Sequence, residues 1–443
     1  MSVALNLIEV ADEPAALAMG ARIHALAREL WPLPRSISGE GLRASLRRIQ
    51  ALLPGMQLVE VPSGSQALDW VVPEEWWVRE AWIECPDGRR ICNFAENNLH
   101  LLGYSTAVDA WLSRSELKPY LHSLPTQPEA IPYVTSYYQR RWGFCLSQRA
   151  REALPDGRYR VYIDAGHRPG SITYGECLIP GESEQEVLLS TDCCHPAMAN
   201  NELSGPCLLA HLGAWIAALP RRRLSWRLLF LPEMIGSAAW LQRALPQARQ
   251  RIVAGFQLSC VGDTREWGYL PSRLGDSLAD RIALHVLQHA TPGFRRWHWR
   301  DRGSDESQYC APGIDLPVAS VMRSKYGSYP EYHTSLDDLE HVVSARGLGQ
   351  SYALYQRMVQ ALEANVLLRA AVLGEPQLGR RGLYPSLSQK GSSASVRPLL
   401  DLLSMADGRD LLAIADSLEC PLWSLLPLLP AVLEHGLVEI VDR

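Results

Sequence analysis

The sequence predicts an α/β protein with a largely parallel central sheet, on three observations. Between about 155 and 370, short apolar runs alternate with stretches of helical period. Polar clusters fall just where those runs stop, and in open α/β sheets ligands sit beyond the carboxyl ends of the strands. At 443 residues, 47% of them hydrophobic and 21% charged, the chain is large enough for two or three well-buried domains.

Taken in order, residues 14–52 carry two stretches with apolar residues three and four apart, predicting helices joined by the polar, glycine-containing connection Pro34-Arg-Ser-Ile-Ser-Gly-Glu-Gly. From about 57 the period shortens. Met56-Gln-Leu-Val-Glu-Val, Ala81-Trp-Ile-Glu-Cys and Arg90-Ile-Cys-Asn-Phe read as short strands of a small β-rich insertion spanning 56–125. Segments 159–164, 186–191, 226–231 and 253–259 are the candidate buried strands of the main domain, with helices at 205–219 and 237–245. The main domain thus comprises 1–55 and 126–385. A Gly/Ser-rich linker at 388–395 opens the last domain, 386–443, whose three short helices and final strand have the order of a winged helix.

Composition excludes some roles. A net charge of -5 gives no polyelectrolyte signature, and segment 397–443 holds eight acids against three arginines, so nucleic acid is not the expected partner. Packing, or a homo-oligomer formed through the tail, is the expectation instead. The ten cysteines are scattered without a CxxC pair, and acids occupy the N-terminal positions where a signal peptide needs basic residues. No uninterrupted apolar run reaches about 18 residues, so no membrane span is expected. A cytoplasmic protein with reduced thiols follows.

Five clusters could carry chemistry: Ser190-Thr-Asp-Cys-Cys-His-Pro, Ala199-Asn-Asn-Glu-Leu-Ser-Gly-Pro, Phe230-Leu-Pro-Glu-Met-Ile-Gly-Ser, Arg302-Gly-Ser-Asp-Glu-Ser-Gln-Tyr and Tyr329-Pro-Glu-Tyr-His-Thr-Ser-Leu-Asp-Asp. A hydrolytic zinc needs about three His/Asp/Glu ligands and one open position. His195, Glu202, Glu233, Asp305 and His333 are the right types, although any one alone reads equally as a satisfied turn residue.

The second, fourth and fifth clusters resemble, in order and spacing, the motifs of bacterial zinc aminopeptidases and the related glutaminyl cyclases. Ala199-Asn-Asn-Glu-Leu-Ser-Gly is similar to their Ala-x-Asp-x-x-Ser-Gly, Gly303-Ser-Asp-Glu-Ser-Gln-Tyr to their Ser-Asp-His-x-x-Phe, and Tyr332-His-Thr-Ser-Leu-Asp to their Tyr-His-Thr-x-x-Asp. Over nearly the whole chain, phrases such as Arg35-Ser-Ile-Ser-Gly-Glu-Gly and Asp69-Trp-Val-Val-Pro-Glu-Glu-Trp resemble a bacterial family that joins an aminopeptidase-like domain, an inserted β domain and a C-terminal winged helix. Its members are often labelled polysaccharide-biosynthesis proteins. The resemblance implies a three-layer zinc-aminopeptidase-like sandwich with a mixed, mainly parallel sheet. It also implies a metal-binding histidine at His333 and an amide-cleaving zinc hydrolase acting on a small peptide or aminoacylated metabolite.

Departures from the family pattern reduce the expected metal count. The bridging aspartate falls on Asn201, a second-metal aspartate on Leu258-Ser259-Cys260, and the paired glutamates have become Pro232-Glu233. One Zn2+ per chain is the economical expectation, held by His195, Glu233 and His333, with Glu202 as a further candidate. The general base is then Asp305, Glu306 or Glu202. Arg323 and Tyr326 could orient a carboxylate or oxyanion, and Tyr137, Tyr138 and Trp142 could line a substrate pocket or belong to the core. Asp337 could hold His333 in its ligating tautomer or cap a helix. A single-zinc acyl transferase resembling glutaminyl cyclases and a non-catalytic scaffold remain the alternatives.

Overall fold

Segment Glu186–Asp192 is buried at every residue, as a strand covered on both faces requires. Its side chains divide between two layers: Val187 and Leu189 point into the larger core, Leu188 into the smaller one. The computed structural model, which describes residues 8–383 and 396–441, places this strand near the centre of an eight-stranded sheet. The order is Gln57–Pro62, Ser171–Ile179, Ser225–Leu231, Glu186–Asp192, Ile252–Leu258, Val318–Met322, Gly268–Leu270 and Arg295–Arg296. Pairing is parallel from Ser225–Leu231 through Val318–Met322, antiparallel where Gln57–Pro62, Ser171–Ile179 and Gly268–Leu270 join on, and parallel again between Gly268–Leu270 and Arg295–Arg296.

Helices cover both faces. Glu13–Leu30, Glu40–Leu52, Ser204–Ala218, Leu278–Ala290 and Ala345–Ala364 share the larger core, whereas Ile235–Arg251 packs on the opposite face through Trp240 and Leu241. Helices Glu13–Leu30 and Ala345–Ala364 touch backbone to backbone. A Cβ on Gly20 would lie 1.9 Å from the Ala345 carbonyl oxygen, and one on Gly349 would lie 2.3 Å from that of Ala16. Only glycine permits this approach.

Two element assignments differ from the sequence reading. Strand Gln57–Pro62 is the edge of the central sheet rather than part of the β insertion. Conversely, 159–164 lies in strand Arg158–Arg168 of a second, four-stranded antiparallel sheet with Arg90–Ile91, Glu75–Glu84 and Val108–Ser113. The reason is visible in the residues. Tyr159, Val161, Ile163 and Ala165 are buried while their alternates are not, the pattern of a strand with one solvated face. The insertion therefore draws a strand from beyond 125.

The C-terminal unit begins earlier than the expected boundary at 386. Its sheet, in the order Asp407–Asp410, Leu367–Ala370, Val438–Val441, takes its central strand from the residues directly after helix Ala345–Ala364. The linker at 388–395 lies outside the described residues. Helices Arg397–Met405, Leu411–Ser417, Leu422–Leu425 and Leu429–Glu434 complete a winged helix whose leucines join the larger core. Arg281 clasps Asp410 with two bonds of 2.9 Å. His285 pairs through Nδ1 with Asp416 at 2.7 Å and accepts the Leu422 N–H on Nε2 at 2.9 Å. His285→Ala should lower stability by about 2 kcal/mol by stranding that buried N–H. Chemical denaturation checks it, and an unchanged midpoint would show that the two units do not rely on this contact.

Among the described residues no single helix is long and apolar enough to cross a membrane. The apolar pair Leu411–Ser417 and Leu422–Glu434 bends by 103°.

Candidate metal centre

The carboxyl ends of the parallel strands deliver the candidate site. The loop after Glu186–Asp192 brings Cys194 and His195, helix Ala199–Glu202 brings Glu202, and the loop after Ser225–Leu231 brings Glu233. Beyond Val318–Met322, the turn at 329–334 brings His333.

The imidazoles of His195 and His333 lie 5.2 Å apart, and the Glu233 carboxylate is 3.8 Å from His195 Nε2. The Glu202 carboxylate grips the other ring nitrogen of His195, Nδ1, while its second oxygen accepts the backbone N–H groups of Cys194 (2.6 Å) and His195 (2.9 Å). A tight turn is thereby closed around one acid. Cys194 Sγ lies 3.4 Å from His195 Nδ1 and accepts the Glu233 N–H at 3.3 Å, so Cys194, His195 and Glu202 form a compact cluster able to hold a metal ion. Arg35, buried within the connection that reads as an ordinary polar loop, donates from Nε and Nη2 to the His195 carbonyl at 3.2 and 3.1 Å.

His333 Nε2 is buried and has no hydrogen-bond partner. Burial, aided by the positive charge of His195, pushes this imidazole down to about 3, so it is neutral and its lone pair is available. Tyr332 stacks on it at 3.8 Å, and Tyr133 meets both imidazoles edge-on, at 4.7 Å from His195 and 5.4 Å from His333. Tyr133 arrives on residues 131–135, which are tied to the histidine loop by Tyr133 N–H to the His333 carbonyl (3.0 Å) and Ser335 N–H to the Ile131 carbonyl (2.9 Å).

The electrostatics are lopsided. Burial, then the charges of Glu202 and Asp305, lifts Glu233 to about 8. Asp192 is raised well above the usual carboxylate range by burial and by the adjacent Asp305, itself raised by burial. His195 and Glu202 behave as an ion pair: against the desolvation both suffer, each holds the other in its charged form. No arginine or lysine forms an ion pair with Asp192, Glu202, Glu233, Asp305 or Glu306 among the described residues. Buried carboxylates short of cations are what a cation site looks like before the ion is counted.

Several residues singled out in the sequence serve the site from behind. Asp305 Oδ1 accepts from Met234 N–H (2.7 Å) and Ser237 Oγ (2.6 Å), fixing the Glu233 loop onto its helix. Glu306 Oε1 turns back onto the N–H groups of Gly303 and Ser304 and onto the Tyr326 hydroxyl at 2.5 Å, so Tyr326 supports that loop. Asp337 neither touches His333 nor caps a helix that follows it. It accepts from Asn200 N–H (2.8 Å), Asn201 N–H (3.1 Å) and the Tyr329 hydroxyl (2.9 Å), capping the short helix that bears Glu202. Tyr137 reaches the site indirectly, with its hydroxyl 2.6 Å from that of Tyr133.

Others lie elsewhere. Trp142 stacks on Tyr120 at 3.8 Å, and Tyr138 is 61% exposed with its hydroxyl on the Val71 carbonyl. Arg323 packs 4.0 Å over Trp267 and reaches Gln350 at 3.4 Å, away from the histidines. Sequence reasoning missed Tyr133, Asp192, Cys194 and Arg35. Asp192 carried the one available signal, a carboxylate ending a mainly apolar strand.

Comparison with known proteins agrees with this fold. Residues 24–365 match the family described as a domain of unknown function, DUF4910, and residues 365–440 match a winged helix-turn-helix. The chain belongs to the DUF4910 family. A Clostridium acetobutylicum protein, provisionally named a polysaccharide biosynthesis protein with aminopeptidase-like domain, is 41% identical over 366 residues, 82% of this chain and 83% of that one. A crystal structure from the same organism, provisionally described as a peptidase, superposes with TM-score 0.90 at 37% identity, over 96% of this chain and 97% of that one. A zinc aminopeptidase from Bacillus subtilis shares the fold, with TM-score 0.58 at 13% identity over 80% of this chain and 95% of the other.

Proposed function

We propose that this chain is a single-ion metallohydrolase that cleaves an amide bond in a small peptide or aminoacylated metabolite. One observation carries the reading: the His195 and His333 imidazoles lie 5.2 Å apart, the Glu233 carboxylate is 3.8 Å from His195 Nε2, His333 Nε2 has no partner, and the surrounding carboxylates form no ion pair with an arginine or lysine among the described residues. Two imidazoles and a carboxylate are a ligand set for zinc with one position left open. The resemblance of the fold to zinc aminopeptidases supports the same ion.

Neutral groups stand where a second ion would need acids. Ser259 Oγ donates to the Asn201 carbonyl at 3.1 Å, and Cys260 Sγ lies 3.9 Å from Asn201 Oδ1. Hence one ion per chain. When bound, zinc supplies Lewis-acid chemistry, polarising a carbonyl and making water more acidic.

The protein's own residues do the rest. Glu202 holds the Nδ1 proton of His195 and so leaves Nε2 as the donor atom, the carboxylate–histidine arrangement found behind metal ligands. Tyr332 and Tyr133 fix the planes of the imidazoles and exclude water from their faces. Asp305 keeps Glu233 in place through the Met234 N–H. Its second oxygen, Oδ2, is buried without a hydrogen-bond partner, as is Oε2 of Glu306; because Asp305 is the one bonded to the loop that bears Glu233, it is the carboxylate we assign to take up the proton released during hydrolysis.

The test is metal analysis of the full-length protein followed by assay on a panel of dipeptides and aminoacyl amides. About one zinc per chain and chelator-sensitive cleavage are expected. A protein that takes up no zinc and is indifferent to chelator would refute the metal site. A zinc-loaded protein inert on every amide would refute the hydrolase assignment alone.

A further inference from the structure

The stretch Phe294-Arg-Arg-Trp-His-Trp-Arg-Asp-Arg sets four arginines among four aromatic rings, in a chain whose net charge is -5. All four arginines are exposed, and none forms an ion pair among the described residues, whereas Arg265 and Arg273 pair with Glu331 and Asp315. They lie on rings instead: Arg295 is 3.8 Å from the centre of Trp297, Arg296 5.4 Å from Phe294 and Arg302 5.0 Å from Trp299. A guanidinium stacked on a ring keeps its N–H edge free for an oxyanion. The one acid of the stretch, Asp301, accepts the His298 N–H at 2.9 Å.

Register fixes where this corner stands. Arg295 lies opposite Gly268, and Gly268 opposite Met322, the last residue of parallel strand Val318–Met322. Arg295 is therefore at the carboxyl end of the sheet, the end that bears the metal centre. A Cβ on Gly268 would lie 3.0 Å from Trp297 Nε1, so the bare glycine lets the indole approach the strand. That nitrogen is buried without an acceptor. Lys325 reaches the same ring from the loop after Met322, with Nζ 5.3 Å from the centre of Trp297 and 4.0 Å from that of Tyr326. Lys325 is only 8% exposed, yet among the described residues its ammonium donates only to the Tyr326 carbonyl, at 3.0 Å, and has two further N–H groups to place. The acids whose charge bears on it, Glu306 and Asp301, are beyond ion-pair contact, and Glu306 Oε1 is turned onto Gly303, Ser304 and Tyr326.

We infer that this corner holds the anionic end of the substrate, a carboxylate or phosphate gripped between Lys325 and Arg295, with Arg302 adding charge from the adjoining loop. That an amide lies at the substrate's other end rests on the hydrolase reading; the anion site itself does not. Two cations that share one indole repel each other, and one of them is withdrawn from water without an acid in contact. An oxyanion between them supplies both the missing charge and the missing acceptors. The corner is continuous with the metal centre. Trp297 and Tyr332 pack against the same cluster of Cys260, Leu270, Met322, Tyr326 and Tyr329, and Tyr332 is the ring stacked on His333. Arg302 leads directly into Gly303, whose N–H donates to the Tyr326 hydroxyl at 2.9 Å, and then to Asp305. The favoured substrate is thus a short amide ending in an acid, not a neutral one.

The experiment is calorimetric titration of the full-length, chelator-treated protein with trialanine, with trialanine amide and with inorganic phosphate, so that binding is read without turnover. Wild type should bind trialanine saturably and its amide about tenfold more weakly, the worth of one hydrogen bond to a charged group. Lys325→Met and Arg295→Gln should each weaken trialanine by about tenfold and leave the amide unchanged. Phosphate that saturates where trialanine does not, and that weakens likewise in both variants, would identify the anion as a phosphate and support the site. Failure of both probes to saturate, or equal binding by wild type and variants, would overturn it. Arg295 is exposed, so Arg295→Gln should melt like wild type and decides alone if Lys325→Met does not fold. Zinc uptake and amide cleavage are measured separately on wild type: their absence would refute the metallohydrolase and leave the anion titration standing.

Discussion

Alanine in place of His333 is expected to remove zinc from the purified protein and to lower kcat/KM for any cleaved amide by about a thousandfold. The ion contributes several kcal/mol of charge stabilisation to such reactions, and each ~1.4 kcal/mol is a factor of ten. The same histidine is neutral and half-buried, and its buried Nε2 has no partner for an alanine to strand, so the metal-free fold should persist. Glu202→Gln provides the contrast. Its carboxylate touches His195 rather than the open face of the site, so zinc should still bind, with affinity lower by about 10–100-fold. Metal analysis and chelator competition on both variants distinguish the two roles. Equal and complete zinc loss in Glu202→Gln would instead make Glu202 a direct ligand, as its place in the Cys194–His195–Glu202 cluster also permits.

The second large effect is in pH. Without metal, Glu233 titrates at about 8 and so holds its proton through the neutral range, while His195, against its burial, is raised by the charge of Glu202. A ligand must release its proton to bind zinc. Affinity should therefore climb with pH, by about tenfold per unit for each proton released, or roughly a hundredfold between pH 6 and 8 for Glu233 alone. Stability of the chelated protein runs the other way. A carboxyl whose folded value is raised binds its proton more tightly folded than unfolded, so the metal-free protein loses stability as pH rises from the ordinary carboxylate range toward 8. The raised His195 acts in the same direction, its contribution being complete below its unfolded value and lost as pH rises through the folded one. Melting curves from pH 5 to 8, with chelator and with zinc, should diverge. Parallel curves would mean that zinc displaces no proton from these groups.

Much of this architecture is legible in the sequence because its signals are local. The mainly apolar runs that became Glu186–Asp192, Ser225–Leu231 and Ile252–Leu258, and the polar residues directly after them, need no tertiary information to be read. The Tyr-His-Thr context marks His333 in the same way. What escaped depends on contacts between residues far apart in the chain. Arg35 reaches His195 across 160 positions, and Asp337 caps Asn200 across 137. Neither pairing leaves a trace in spacing. Strand Arg158–Arg168 was assigned to the wrong sheet because an alternating run was treated like a continuous one. Leu367–Ala370 went unseen because it is four residues long and follows a helix almost at once. Arg323 shows a third kind of gap: residue type suggested anion recognition, but its guanidinium lies on the Trp267 ring and against Gln350.

Backbone conformation adds a further property. Ala197, Met234, Cys260 and His333 all adopt positive φ, between 44° and 62°, a region that non-glycine residues avoid. Ala197, Met234 and His333 sit on the loops that carry the candidate ligands and Cys260 on the loop behind Asn201, so the candidate centre is assembled from turns under tension, each costing roughly 1–3 kcal/mol. Such a centre has been selected for shape at the expense of hardiness. Glycine at position 197 or 234 would relax a turn and raise the melting temperature, while allowing the loop that carries His195 or Glu233 to wander. Laboratory evolution for heat resistance alone should therefore drift toward glycine at these corners and lose its grip on zinc as it does so.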